Sequence, residues 1–351
     1  AQRFYLKKFT LRSLLPLRLG EKSFSWGDLG EAGTFNFIII LFLTACLIIP
    51  IRGGFQLAAI NQSHVYFSKN SFANHAAVNV PWNFCHSIVE RSFEKTNPYN
   101  YLPEEEARII VQKLLKTHTK IVNRKSKIVN PNVIIIILES FTSKLIQPLG
   151  GMEGITPNFN KLTKEGILFT NIYASGDRSD KGLPAILSGF PAQPARSIIM
   201  IPSKTANLPF ISKIFKKNFY HTSFYYGGEL EFANIKSYLI NGEFDKIIGK
   251  DDFDPKDWNS KWGAHDHVVF DRLLDDLDIT PTPFFATIFT LSSHEPFEIP
   301  SRIRDISTDA NISLGVLRYI KGVASVEMSQ ILDFLNAVHY TDWSLGEFIK
   351  K

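Results

Sequence analysis

Asn132-Val133-Ile134-Ile135-Ile136-Ile137-Leu138 is the stretch that decides the fold. Five β-branched residues follow one another with no polar residue between them. Successive strand side chains point to opposite faces, so an unbroken apolar run predicts a strand covered on both sides. That is the environment of a strand in a parallel sheet between helical layers. Working outward, strand-like and helical segments alternate. The pattern predicts helix over 159–164, extended chain over 167–173 and helix over 181–187. It then predicts a strand over 219–226, a helix over 268–277, a buried strand over 284–291 and a long amphipathic helix over 323–348. Upstream, Leu102-Pro103-Glu104-Glu105-Glu106 opens a helix that runs to about Lys120, with Pro in the first turn and acids at the positive end of the dipole. The fold class expected is α/β: a mostly parallel sheet with helices on both faces.

Composition excludes several classes. Of 351 residues, 44% are hydrophobic, 21% are charged and 29 are Phe, which is foreign to a disordered chain. Two cysteines exclude a disulfide scaffold. The net charge of +5, from 39 basic and 34 acidic residues, is too small and dispersed to point to nucleic acid. The length allows two domains, or one large α/β domain with additions.

Residues 35–51 carry no charge. At 1.5 Å per residue this run is about 25 Å long, near the minimum for a transmembrane helix. A buried core helix is the alternative. Residues 1–33 hold six basic residues against three acids, and no Lys or Arg follows Arg52 until Lys69. The positive-inside rule then predicts a cytoplasmic segment 1–34 on the membrane surface, a transmembrane helix 35–51, and everything after it outside the cytoplasm. Segment 52–125 reads as an irregular connector containing one helix, and 126–351 as the α/β domain. Cys46, in the span, and Cys85, outside it, are not expected to pair. Both read as small buried hydrophobes.

Functional groups of open α/β sheets gather at the carboxyl ends of strands. One predicted strand ends in Glu139-Ser140, and another in Ser292-Ser293-His294-Glu295. Between them, Gly176-Asp177-Arg178-Ser179-Asp180-Lys181-Gly182 opens a helix. Ser179 thus stands where a helix N-terminus favours an anion, with Arg178 and Lys181 adding positive charge. A hydroxyl, a carboxylate and basic groups on one rim suit phosphoryl or sulfuryl transfer, given a base or metal to activate the hydroxyl. Ser179 and Asp180 read equally well as N-cap residues.

The words Thr156-Pro157-Asn158 with Glu165-Gly166-Ile167-Leu168-Phe169-Thr170-Asn171 resemble the alkaline phosphatase–sulfatase superfamily. Leu138-Glu139-Ser140, Ser188-Gly189-Phe190-Pro191, Lys261-Trp262-Gly263, Thr290-Leu291-Ser292-Ser293-His294 and Tyr340-Thr341-Asp342 are similar to its lipoteichoic acid synthase-like branch. The resemblance covers about residues 35–350. It implies an alkaline phosphatase-like α/β fold preceded by a transmembrane helix. It also implies transfer of a phospholipid head group, phosphoglycerol or similar, from a lipid donor to a glycan or lipid acceptor at the plasma or inner membrane, outside the cytoplasm. Ser179 matches the nucleophile that carries the phosphoryl group. Glu139 and Ser179 match ligands of one divalent metal, Mn2+ or Mg2+, with Zn2+ or Ca2+ as further options. His294 matches a substrate-binding residue, and Trp262 and Asp266 line the same pocket. Two rival expectations are an ester hydrolase of the same superfamily and a non-catalytic glycan- or lipid-binding membrane protein. Ser179-Asp180-Lys181-Gly182-Leu183 lacks the Pro and Arg of a formylglycine maturation motif, which disfavours a true sulfatase. The family's Asp-His metal pair is expected beyond Lys351, so the chain is expected to be a fragment at both ends.

Overall fold

The computed structural model describes residues 31–55, 59–90, 100–115, 130–194, 196–300 and 325–351. The chain divides into two compact units, residues 1–60 and 61–351.

In the first unit, α1 (Glu31–Cys46) and α2 (Ile48–Arg52) follow one another and stop at Gly53, whose φ of 95° ends the helical run. Thr34 to Arg52 forms 19 residues of apolar helix, long enough by length and composition to cross a membrane, and none of it is buried inside the protein. It is not a core helix. The polar Thr44 hydroxyl is satisfied within the helix by donating to the Ile40 carbonyl at 2.7 Å. Segment 1–30 lies outside the described residues.

The second unit contains a parallel sheet of β1 (Val133–Ile137), β2 (His221–Tyr226), β3 (Lys246–Ile248) and β4 (Phe284–Phe289), ordered β1-β4-β2-β3. Among the described residues its helices are α3 (Ser71–Ala77), α4 (Val80–Glu90), α5 (Glu104–Leu115), α6 (Pro157–Glu165), α7 (Ser179–Ser188), α8 (Pro202–Thr205), α9 (Ile211–Lys217), α10 (Ile235–Asn241), α11 (Asp266–Ile279) and α12 (Ser325–Lys350). Each sheet face is covered. On one, Phe224, Phe285 and Phe289 pack with Leu183 and Leu187 of α7 and Tyr238 and Leu239 of α10. On the other, Tyr225, Ala286 and Ile288 pack with Phe270 and Leu273 of α11 and Leu345 and Phe348 of α12. The doubly covered parallel sheet is the fold that the apolar strands predict.

The register aligns Ile137, Tyr226 and Phe289 across three strands, so their carboxyl ends form one rim. Two close approaches shape it. Ala264 N–H donates to the Gly227 carbonyl at 3.0 Å, and Gly228 bridges Gly263. A Cβ on Gly263, whose φ is 147°, would sit 2.1 Å from the Gly227 oxygen, so only glycine lets the loop holding Trp262 lie against the end of β2.

Several expectations need correction. Residues 167–173 form no strand, and Ile167, Phe169, Ile172 and Tyr173 are exposed. The β1 run is less fully covered than its apolar sequence predicts. Among the described residues it forms an edge of the sheet, with Ile134 36% exposed. The stretch 52–100 is not irregular, since it carries α3 and α4. β3 had no sequence signal. Cys46 and Cys85 are free, as expected, but exposed and not buried.

Candidate active site

Glu139 follows β1 and Ser179 opens α7. Forty residues apart in sequence, they meet directly: Ser179 Oγ donates to Glu139 Oε2 at 2.8 Å. Glu139 Oε1 accepts from Ser140 Oγ at 3.0 Å, and Ser140 takes a positive φ of 57° to make the turn. The Glu139 backbone is fixed from the end of β4. Its N–H donates to Thr290 Oγ1 at 2.8 Å, and its carbonyl accepts from Ser293 Oγ at 2.6 Å. Thr290 and Ser293 are both buried. The turn carrying them is fixed in turn by Asp266, whose Oδ1 accepts from Leu291 N–H at 2.7 Å and Ser292 N–H at 3.1 Å. Asp266 Oδ2 accepts from Thr341 Oγ1 of α12 at 2.7 Å. A continuous set of bonds therefore runs from α12 through the rim to the Glu139–Ser179 pair.

Asp266 is 1% exposed, with both oxygens committed to the protein, and burial raises its pKa. It holds the rim and does not face the site, which corrects its expected place in the pocket. Lys181 departs from expectation in the same way. Its ammonium is buried and donates to Asp177 Oδ1 at 2.8 Å and to the Pro194 carbonyl at 3.2 Å, closing the loop before Ser179. A Cβ on Gly176 would meet Lys181 Cβ at 2.8 Å, so Gly176 is required for that closure. Arg178 is exposed, with Nε 3.7 Å from Asp180 Oδ1. It remains the basic side chain at the solvent edge of the α7 terminus.

His294 follows Ser293 on the rim and pairs with Trp262. Their rings meet edge to face with centroids 5.4 Å apart. Trp262 Nε1–H donates to the Glu295 carbonyl at 2.6 Å, and His294 Nδ1 lies 2.8 Å from the same oxygen. A carbonyl can only accept, so His294 carries its proton on Nδ1 and turns Nε2 away from this contact. Neutral Nε2 accepts a hydrogen bond; the protonated ring donates one there.

Local sequence patterns missed Tyr226. It is buried at the end of β2 and stacks on Phe289 at 5.0 Å. Burial first, then the carboxylates of Glu139, Asp266 and Glu229, push its hydroxyl above the ordinary phenol range. It therefore stays neutral beneath the rim.

Glu139 and Ser179 bring two oxygen donors together, which fits a hard divalent cation such as Mg2+ or Mn2+. Among the described residues no group of three or more His, Cys, Asp or Glu converges on a metal position. Two oxygen donors alone do not complete a divalent-metal site. Asp266-His267 does not supply the rest, because Asp266 is bonded to backbone and His267 Nδ1 lies against the Tyr340 hydroxyl.

Comparison with known proteins fits this geometry. A sulfatase family model matches residues 131–351. Lipoteichoic acid synthase-like YvgJ of Bacillus subtilis is 25% identical over 224 residues, covering 63% of this chain and 34% of its own. Lipoteichoic acid synthase 2 of the same organism is 24% identical over 263 residues, covering 72% of this chain and 38% of its own. The chain thus spans little more than a third of these relatives. Among solved structures, an alkaline phosphatase superfamily protein from Vibrio parahaemolyticus aligns with TM-score 0.53 and 30% identity over 64% of this chain and 51% of that one. The lipoteichoic acid synthase LtaP from Listeria monocytogenes shares the fold, with TM-score 0.51 and 22% identity over 63% and 52% of the two chains. The match runs from just before β1 to the end of α12, over more than half the residues, and the chain belongs to the sulfatase family of the alkaline phosphatase superfamily.

Proposed function

We propose that the chain is the core of a membrane-anchored transferase that moves a phospholipid head group, phosphoglycerol or similar, to a glycan or lipid acceptor outside the cytoplasm. The observation that carries this reading is the 2.8 Å bond from the Ser179 hydroxyl to Glu139 at a helix N-terminus. The names of the relatives support it, and so does the apolar helix Thr34–Arg52, taken as a transmembrane anchor.

In the first step Ser179 Oγ bonds to phosphorus while the bond from phosphorus to the diacylglycerol oxygen breaks. The serine proton already points at Glu139 Oε2, which gives it a destination, and the leaving oxygen takes up a proton to release diacylglycerol. In the second step the acceptor hydroxyl attacks phosphorus, the bond to Oγ breaks and Ser179 regains its proton. The α7 N-terminus and Arg178 offset phosphate charge. His294 binds the substrate through Nε2, and Trp262 sets the ring's orientation. Glu139 and Ser179 would hold the divalent metal that the family resemblance implies; when bound, it would lower the serine pKa and offset phosphate charge.

Product analysis tests the reading. The protein is incubated with phosphatidylglycerol vesicles, with and without a glycolipid acceptor. Diacylglycerol that accumulates catalytically only with acceptor, together with an extended acceptor, is the expected result. Free glycerol phosphate released at the same rate without acceptor would make the chain a hydrolase.

A further inference from the structure

Between Arg52 and Glu90, Lys69 is the only Asp, Glu, Lys or Arg. This neutral stretch contains α4, whose orientation is opposite to that of an ordinary surface helix. Trp82, Asn83, His86 and Ser87 face inward and are half-buried. Asn83 Oδ1 accepts from Gln62 Nε2 at 2.7 Å, and the Trp82 and His86 rings stack at 4.6 Å. Val80, Pro81, Phe84, Cys85 and Ile88 face outward and are exposed. Val80, Phe84 and Ile88, spaced four apart on one helix face, are 76%, 65% and 52% exposed. Phe67 and Phe72 extend the apolar surface, at 71% and 80% exposed. Phe67 is held by buried Asn74, whose Oδ1 accepts from Phe67 and Ser68 N–H and whose Nδ2 donates to the Ser68 carbonyl, and Phe72 N–H donates to Asn70 Oδ1.

A helix that turns its polar side to the protein and its apolar side outward has a nonaqueous partner for that side. We propose that α4, with Phe67 and Phe72, lies on the lipid bilayer surface as an interfacial docking face. Three observations choose lipid over protein. The apolar residues are rich in Phe and free of charge, as interfacial helices are on their buried side. The neutrality extends through 37 residues, Gly53 to Val89, apart from Lys69, far beyond the needs of one helix-binding groove. The stretch also begins where the apolar helix Thr34–Arg52 ends. The 15 residues from Gly53 to Phe67 reach about 50 Å at most when extended, so an anchored span keeps the start of this face within reach of the bilayer. The inference rests on the anchor reading for this tether, and on the face of α4 for the rest.

The test uses the full chain carrying Cys46→Ser, which leaves Cys85 on the outward face as the only thiol. A nitroxide on Cys85 is followed in phosphatidylcholine–phosphatidylglycerol vesicles, with vesicle flotation measured in parallel. The control is the same label at Lys161→Cys, an exposed position on α6, in a Cys46→Ser/Cys85→Ser background. At Cys85, collisions with dissolved oxygen should exceed those with a water-soluble nickel chelate by several-fold more than at the control. Adding Phe84→Asp and Ile88→Asp should return the ratio to the control value. A chain that floats with a Cys85 label as wet as the control overturns the inference and leaves the anchor standing. A chain that does not float overturns both. A label shielded from both reagents also overturns it, whether by a second copy, seen as dipolar broadening, or by other segments of the chain, seen as immobilisation without broadening.

Discussion

The Ser179 hydroxyl lies 2.8 Å from Glu139 Oε2, joining the first residue of α7 to the end of β1. Replacing Ser179 by Ala removes the proposed nucleophile but leaves Glu139 its bond from Ser140 and its backbone clamps. Turnover should fall to background and the phosphoryl-enzyme should vanish from mass spectra of quenched reactions, with thermal unfolding unchanged. Turnover retained in this variant would take the nucleophile assignment away from Ser179.

Glu139 is placed by Thr290 and Ser293, across more than 150 residues of sequence. Ser293→Ala strands a backbone carbonyl, at a cost of about 1–3 kcal/mol. Because that carbonyl belongs to Glu139, the variant should also lose affinity for Mn2+, measured by calorimetry. Thr290→Ser keeps the hydroxyl and should stay near wild type in both readouts. If Ser293→Ala lowers stability but leaves Mn2+ affinity intact, the clamp has no bearing on the site.

These two cases show what local sequence could and could not disclose. Glu139, Ser179 and His294 stand at the ends of apolar runs, where periodicity changes abruptly, and each was visible as a strand or helix terminus. Thr290, Ser293 and Tyr226 lie within or just after such runs and look like ordinary strand residues. Their roles come from strand order and register, which a single chain does not display. Lys181 was readable as a rim charge, and the resemblance placed Asp266 in the pocket. Burial decided otherwise, because each found fixed partners: Asp177 and the Pro194 carbonyl for one, two backbone amides and Thr341 for the other. β3 is three residues long, too short to show a period. Ile167 to Tyr173 has the apolar content of a strand, yet among the described residues it has no ladder partner.

Asp342 explains the Tyr-Thr-Asp word and the glycine after it. It lies on α12, and its carboxylate accepts from Asn158 N–H at 2.9 Å, Asn158 Nδ2 at 3.0 Å and Phe159 N–H at 2.7 Å, capping α6. Gly346, one turn on, leaves room for Asn158, since a Cβ there would come within 2.3 Å of the Asn158 Cγ. Asp342→Ala should cost about 1–3 kcal/mol through unpaired buried donors. Gly346→Ala should also destabilise, and Gly346→Ala with Asn158→Ala should recover part of the loss. Equal additivity of the two substitutions in denaturant unfolding would contradict the close approach.

Trp262 acts on the site through His294. Trp262→Phe keeps an aromatic ring but loses the Nε1–H bond to the Glu295 carbonyl, freeing the loop that orients the imidazole. KM for the lipid donor should rise several-fold, with a smaller change in kcat. His294→Ala should lower kcat/KM by about 10²–10⁴-fold, the range for one positioned catalytic group. In a His294→Ala background, Trp262→Phe should then have little further effect. Full additivity in steady-state kinetics would separate the two side chains.

His265 supplies the pH dependence. It is buried beside the rim, 3.5 Å by Nδ1 from Ser292 Oγ, and edge-on to Tyr340. Burial, with His267 nearby, lowers its pKa from 6.5 to about 4. The unfolded chain therefore binds a proton near pH 6.5 that the folded chain refuses until about pH 4. In that window the unfolded state holds more protons, so stability falls as pH falls, by up to about 1.4 kcal/mol per pH unit. Above pH 6.5 the contribution is complete and flat. Thermal unfolding of the wild type should show this acid slope, and His265→Asn, which cannot titrate, should show less of it while starting from a lower stability at pH 7.5. The same slope in both proteins would assign the acid loss to other groups and remove His265 from the account.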